Sequence, residues 1–264
     1  MTSAPSLPPA SSVPPAADPR AAWPYPRWIA HRGAGRLAPE NTLAAFRTGA
    51  AHGFRMFECD VKLSADGVPF LLHDATLGRT TDGHGDAGEL DWTQLSRLDA
   101  GGWHSRAHAG EPLARLENVA RFCLRNGHHL NIEIKPTPGT ERRTGEVVAR
   151  EAARLWDGEP VPPLLTSFQP IALEGARYGA AQLPRGLLLD TLPEGWLDEA
   201  LRLGCVAVVC HQALWNETTV ARAHDAGLRT LSYTVNDDWA AQRLIALGTD
   251  GVITDRVDLF APAS

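Results

Sequence analysis

Apolar positions along the chain follow two alternating rhythms. Short β-rich runs, "RWIAHRG", "FRMFECDVKL", "VPFLLHD", "HLNIEIKP", "LLTSF", "RGLLLD", "CVAVVCH", "LRTLSYTVN" and "GVITD", are separated for the most part by stretches of helical period. The pattern predicts helices over residues 40–51, 116–126, 144–156, 170–178, 194–203, 217–225 and 237–247. Glycine follows several of them, at Gly53, Gly127, Gly179, Gly204, Gly227 and Gly248, where a left-handed helix end is expected. Strand and helix in regular alternation predict an α/β fold, a (β/α)8 TIM barrel in preference to a doubly wound sheet.

Nine β-rich runs are one more than such a barrel holds. Only "SADG" joins the second run to the third, far too short for a parallel crossover, and Asp-Gly favours a tight turn. The third run is therefore expected to fold back antiparallel on the second as a β-hairpin, returning His73 beside Glu58 and Asp60. Residues 75 to about 112 fit no barrel unit and read as an insertion at the barrel mouth with one short helical piece around residues 92–98. The first 22 residues are rich in Pro, Ala and Ser and read as a disordered leader, which leaves residues 23–264 as one barrel domain.

Composition narrows the setting. The chain has 264 residues, 44% hydrophobic and 21% charged, enough for a sizeable core. A formal net charge of −6 argues against a phosphate-tracking surface, so neither nucleic acid nor an anionic membrane is an expected partner. Cys59, Cys123, Cys205 and Cys210 have no zinc-type spacing and read as structural thiols of a reducing compartment. The leader lacks the basic and apolar regions of a signal peptide, and no apolar run nears the roughly 20 residues that span a bilayer. A cytoplasmic location is the expectation; the oligomeric state is not legible.

Side chains two apart in a strand share a face, so "FECDV" puts Glu58 beside Asp60, and "NIEIKP" aligns Glu133 with Lys135. Cys59, Ile132 and Ile134 then face the helices. Three carboxylates gathered on one barrel rim repel one another and resist desolvation unless a cation joins them. Their hard oxygen donors suit Mg2+ or Ca2+. Around that point the pattern places His31, His73, Arg32 and Lys135. This parts list fits phosphodiester cleavage: cations for the phosphoryl oxygens, and histidines to take a proton from the nucleophile and give one to the leaving group.

The segments "AHRG", "PENTLAAF", "ECD", "LLHDATLGRTTDG", "NIEIKP", "TSF", "YTVN" and "GVITD" occur in an order that resembles the glycerophosphodiester phosphodiesterases, from about Trp23 to about Leu259. "APENTLAAF", "NIEIKPTPGT", "LPRGLLLD" and "DAGLR" look particularly like the cytoplasmic bacterial members that accompany glycerol-3-phosphate uptake. The resemblance implies a TIM barrel and metal-dependent hydrolysis of deacylated phospholipids, such as glycerophosphocholine and glycerophosphoethanolamine, to glycerol 3-phosphate and an alcohol. It implies His31 and His73 as the acid-base pair and Glu58, Asp60 and Glu133 as metal ligands. Arg32 and Lys135 would bind phosphate, and Glu40 would support the site by orienting His31 or the ion. Tyr233 stands where many members carry Trp and would pack on glycerol. The Gly-rich turn after His31 is expected to let the backbone pass close to substrate.

Other readings remain open at this level. The same barrel could act on an acylated phospholipid, which would want an apolar rim that the polar insertion does not offer. A lyase could use Lys135 as a Schiff base. A non-catalytic phosphodiester-binding protein would leave both histidines unexplained. His211 is a candidate for lining the pocket, Trp103 either walls the pocket or anchors the insertion, and the remaining histidines read as surface or packing residues.

Overall fold

A computed structural model describes residues 23–260 and Pro262; the expected leader lies outside the described residues. In chain order the elements are β1 (Trp28–Ala30), α1 (Leu43–Ala51), β2 (Met56–Leu63), β3 (Pro69–Leu71), α2 (Trp92–Leu95), α3 (Leu116–Asn126), β4 (His129–Ile134), α4 (Glu141–Leu155) and β5 (Leu164–Ser167). They continue through α5 (Pro170–Gly179), β6 (Arg185–Leu189), α6 (Trp196–Arg202), β7 (Ala207–His211), α7 (Glu217–Asp225), β8 (Arg229–Tyr233), α8 (Asp238–Ala246) and β9 (Gly251–Thr254). Eight parallel strands close into a barrel. β1 pairs with β9 through Ile29 and Ile253, and with β2 through Ala30 and Phe57.

The extra strand is the hairpin the short "SADG" connection requires. β3 runs antiparallel to β2, with Val61 opposite Leu71 and Lys62 opposite Phe70. It has room because β1 is short and pairs with β2 only at Phe57, leaving the far half of β2 with a free edge. The Leu72 amide still donates to the Asp60 carbonyl at 3.1 Å, which carries His73 back to the rim.

Strand alternation separates two cores. Ile29, Met56, Leu164, Leu188, Val209, Leu231 and Ile253 fill the barrel, whose lower end receives Tyr25, its hydroxyl donating to the Pro162 carbonyl at 2.9 Å. Cys59, Ile132 and Ile134 face outward into the larger core between strands and helices. The insertion carries a small core of its own, from Leu77 and Ala87 to Leu95 and Leu113, over Phe70 of β3. Its polar sequence therefore conceals a fixed platform.

One glycine expectation changes. Gly127 ends α3 at φ +65° as expected, but Gly179 is the last residue of α5 and has no positive φ. Together with Gly145 and Gly175 it lets α4 and α5 touch backbone to backbone. A Cβ on Gly145 would run into the Ala172 carbonyl, and one on Gly175 into that of Arg142. The glycines after His31 likewise serve protein contacts. Gly33, at φ +99°, lies against Ala45 of α1, and Gly35, at φ +55°, against the Asp255 backbone. They tie β1 to its neighbours.

Candidate active site

The rim at the C-terminal ends of the strands collects the charged residues. Glu58 and Asp60 on β2 and Glu133 on β4 point inward as period-two alternation dictates, and the parallel register sets Asp60 opposite Glu133. One carboxylate oxygen from each lies within 4.8 Å of the others. Glu58 and Glu133 open onto a cavity of about 250 Å3 whose wall also includes His31, Arg32, His73, Lys135, Phe168 and Tyr233, and Asp60 is buried behind it.

The three acids differ in surroundings. Burial, with repulsion from Asp60, pushes the Glu58 carboxyl up to about 8; its Oε2 accepts the Arg32 amide at 3.0 Å while its buried Oε1 has no partner. Burial works in the same direction on Asp60, but the charges of Arg32, Lys135 and His73 outweigh it and hold that group well below the usual carboxylate range. Arg32 Nε lies 3.2 Å and Lys135 Nζ 3.5 Å from Asp60, and the Asn41 amide donates at 2.8 Å. Glu133 is raised by burial and by Asp60, even though it accepts from Lys135 Nζ at 2.9 Å. A lone buried oxygen on Glu58 within a repelling carboxylate triad is the environment a hard divalent cation completes.

Each histidine has a carboxylate behind it. His31 Nδ1 lies 2.6 Å from Asp255 Oδ1, and His73 Nδ1 lies 2.6 Å from Asp74 Oδ1. An ionised carboxylate only accepts, so Nδ1 carries a proton in both rings, and Nε2 bears a lone pair when the ring is neutral and a second proton when it is an imidazolium. Burial lowers His31, but the Asp255 bond and the Glu58 charge carry it above its ordinary value. Burial takes His73 below its ordinary value. Asp255 is itself held by the Asn236 amide at 2.8 Å, and Arg79 clamps Asp74.

His31, Arg32, Glu40, Glu58, Asp60, His73, Glu133, Lys135 and Tyr233 gather here, with changes of detail at Glu40 and Tyr233. Glu40 bonds Arg32 Nη1 at 2.8 Å and Arg79 through two further bonds at 2.8 Å, whereas the hydrogen bond that orients His31 comes from Asp255. Tyr233 lines the cavity, but its hydroxyl is committed to the Leu189 carbonyl at 3.0 Å, so only the ring is offered. Trp103 lies on an adjoining cavity, while His211 packs its ring against Tyr233.

Sequence reasoning passed over Asp74, Asp255, Asn236, Arg79 and Asn41 as site residues. Asp74 directly follows His73, and Asp255 closes a strand whose C-terminal end lies on the active rim, so a signal existed. Asn41 had a weaker one. It sits at φ +61°, and Arg32 at φ +50°, both in the left-handed region where non-glycine residues are scarce. That backbone turns the Arg32 amide onto Glu58 and lets the Asn41 side chain grip both the amide and the carboxylate of Asp60.

Fold and site together define a barrel hydrolase of the phosphodiester-cleaving class. Residues 31–259 match the glycerophosphoryl diester phosphodiesterase family, and the chain belongs to that family. It is 32% identical over 234 residues to a glycerophosphodiester phosphodiesterase of Caldanaerobacter subterraneus subsp. tengcongensis, covering 86% of this chain and 93% of that one. A phosphodiesterase of Oleispira antarctica, solved with its product sn-glycerol-3-phosphate, superimposes with a TM-score of 0.82 at 32% identity, over 88% of this chain and 93% of its own. A glycerophosphodiester phosphodiesterase of Agrobacterium tumefaciens gives 0.75 at 31% identity, over 90% and 100%.

Proposed function

We propose that this chain hydrolyses glycerophosphodiesters, deacylated phospholipids such as glycerophosphocholine or glycerophosphoethanolamine, to sn-glycerol 3-phosphate and an alcohol. The observation that carries the reading is the pairing of two Nδ1-anchored histidines with a carboxylate triad on one cavity. The Oleispira protein, with its product sn-glycerol-3-phosphate, supports the choice of substrate.

Glu58, Asp60 and Glu133 would hold Mg2+ or Ca2+, which supplies positive charge for the phosphoryl oxygens when bound. Arg32 and Lys135 each reach the triad from the cavity wall and are placed to bind the remaining phosphoryl charge. One histidine Nε2 takes the proton of the nucleophile as its oxygen bonds to phosphorus; the nucleophile is water, or the glycerol 2-hydroxyl, in which case a cyclic phosphate forms and water then opens it to glycerol 3-phosphate. The other enters as imidazolium and gives its Nε2 proton to the departing alkoxide as its P–O bond breaks. Asp255 and Asp74 hold Nδ1–H of the two rings, which leaves Nε2 as the atom that takes or gives the proton. The Phe168 and Tyr233 rings, edge to face at 5.6 Å, form an apolar wall suited to the carbon side of glycerol.

Free, buried cysteines support action in the cytoplasm, and no helix among the described residues is long and apolar enough to cross a membrane. The test is release of glycerol 3-phosphate from glycerophosphodiesters with Mg2+ or Ca2+ and with EDTA, alongside His31→Ala and Glu58→Ala. Metal-dependent release lost in both variants is the expected result. Release from a lysophospholipid but from no deacylated diester would overturn the substrate assignment.

A further inference from the structure

Beside the barrel cavity lies a second one of about 430 Å3, and His31 and Arg32 belong to both walls. The second is built between the turn after β1 and the insertion, with Arg36, Glu40, Arg79, Trp103, His104 and Asp255 around it. A phosphodiester has two arms on one phosphorus. With the phosphorus near His31 and Arg32, one arm enters the barrel and the other has this cavity to fill.

The charges of that wall are unequally spoken for. Glu40 is engaged by Arg32 and Arg79, and Asp255 by His31 and Asn236. Neither carboxylate is left to meet a cationic ligand. Arg36 is the opposite case: it lines the cavity, and its guanidinium makes no ion pair or hydrogen bond with any described residue. Its backbone is nevertheless fixed, because its carbonyl lies 3.1 Å from His104 Nε2. Trp103 is 42% exposed, and its indole N–H is bound to the Ala100 carbonyl at 2.8 Å, which fixes the ring. A fixed aromatic face and an exposed, uncommitted guanidinium on one cavity wall suit the C–H face and hydroxyls of a polyol, or an acidic group. A quaternary ammonium would gain one aromatic face but meet the uncompensated Arg36 charge.

We propose that this second cavity is the subsite for the departing alcohol, and that it selects a polyhydroxylated or acid-bearing head group over choline. The proposal rests on the hydrolase reading above and assigns Arg36 and Trp103 as specificity determinants.

The experiment compares kcat/KM for glycerophosphoglycerol, glycerophosphoinositol, glycerophosphocholine and the methyl ester of glycerol 3-phosphate, which has almost no head group. The proteins are wild type, Arg36→Glu, Arg36→Lys and Trp103→Ala. In the wild type the polyol diesters are expected to exceed glycerophosphocholine by about tenfold, the worth of one charge-assisted hydrogen bond. Arg36→Glu reverses that order, Arg36→Lys keeps it, and Trp103→Ala weakens it. A wild type that favours glycerophosphocholine, or a ranking indifferent to Arg36→Glu, overturns the subsite. Turnover of the methyl ester reports the reaction itself: its presence with an indifferent ranking overturns the subsite alone, and failure to cleave any of the four diesters overturns the hydrolase reading as well.

Discussion

His31 Nδ1 and Asp255 Oδ1 are 2.6 Å apart although 224 residues separate them, one just past β1 and the other just past β9. Barrel closure makes them neighbours, since β1 and β9 pair in parallel through Ala30 and Thr254. Their bond sets the tautomer of a ring that lines the cavity.

Asp255→Asn replaces a pure acceptor with a group that can donate to Nδ1, which stabilises the other tautomer and moves the proton to Nε2. We expect kcat to fall by about a hundredfold or more with a much smaller change in KM. Steady-state kinetics on a glycerophosphodiester checks this, and near-normal kcat would remove the positioning role.

Acid should expose the same bond. Burial raises the Asp255 carboxyl, but the His31 and Asn236 bonds outweigh it and hold it at about 2, against an ordinary 3.8. A folded-state value below the unfolded one gives stability that is fully present above about pH 4 and lost as pH falls through about 2. Urea midpoints of wild type and Asp255→Asn, taken in EDTA from pH 6 downward, should therefore converge below pH 4. A gap that widens toward acid would show the sign to be wrong.

The carboxylate triad predicts a stability response to metal. Saturating Mg2+ or Ca2+ binds the folded state and should raise the melting temperature, with about 2.7 kcal/mol gained at a hundredfold excess over Kd. Glu58→Gln should reduce that response. Without metal, the same variant should be no less stable than wild type, because a neutral amide relieves the burial and repulsion that push Glu58 up to about 8. Thermal melts of both proteins, with metal and with EDTA, provide the measurement.

The α4 and α5 contact is a stability element remote from the chemistry. Gly145→Ala places a methyl group against the Ala172 carbonyl, and the helices must separate to admit it. Overpacking of this kind costs about 1–3 kcal/mol. The expected result is a lower urea midpoint with unchanged kcat per folded molecule.

The legible part of the site was the part written in one strand at a time. Glu58 with Asp60, and Glu133 with Lys135, are two residues apart, and β geometry alone puts each pair on one face. The hairpin that returns His73 followed from a connection too short for any parallel crossover. Asn41 and Asp255 act through side chains that meet residues of other elements, and no local period reports such meetings, whereas Asp74 adjoins its partner His73 in the chain.

By itself, then, the sequence determined the strand and helix order, the barrel, and the set of acids and histidines on its rim, because these depend on alternation and on connection length. Tertiary structure decided the partnerships: Asp255 behind His31, Glu40 on Arg32, Asn41 on Asp60, and an uncommitted Arg36 on the same cavity as Trp103. Hydrogen bonds select partners within about 3 Å, and only the closed barrel and the packed insertion bring residues so distant in the chain within that reach.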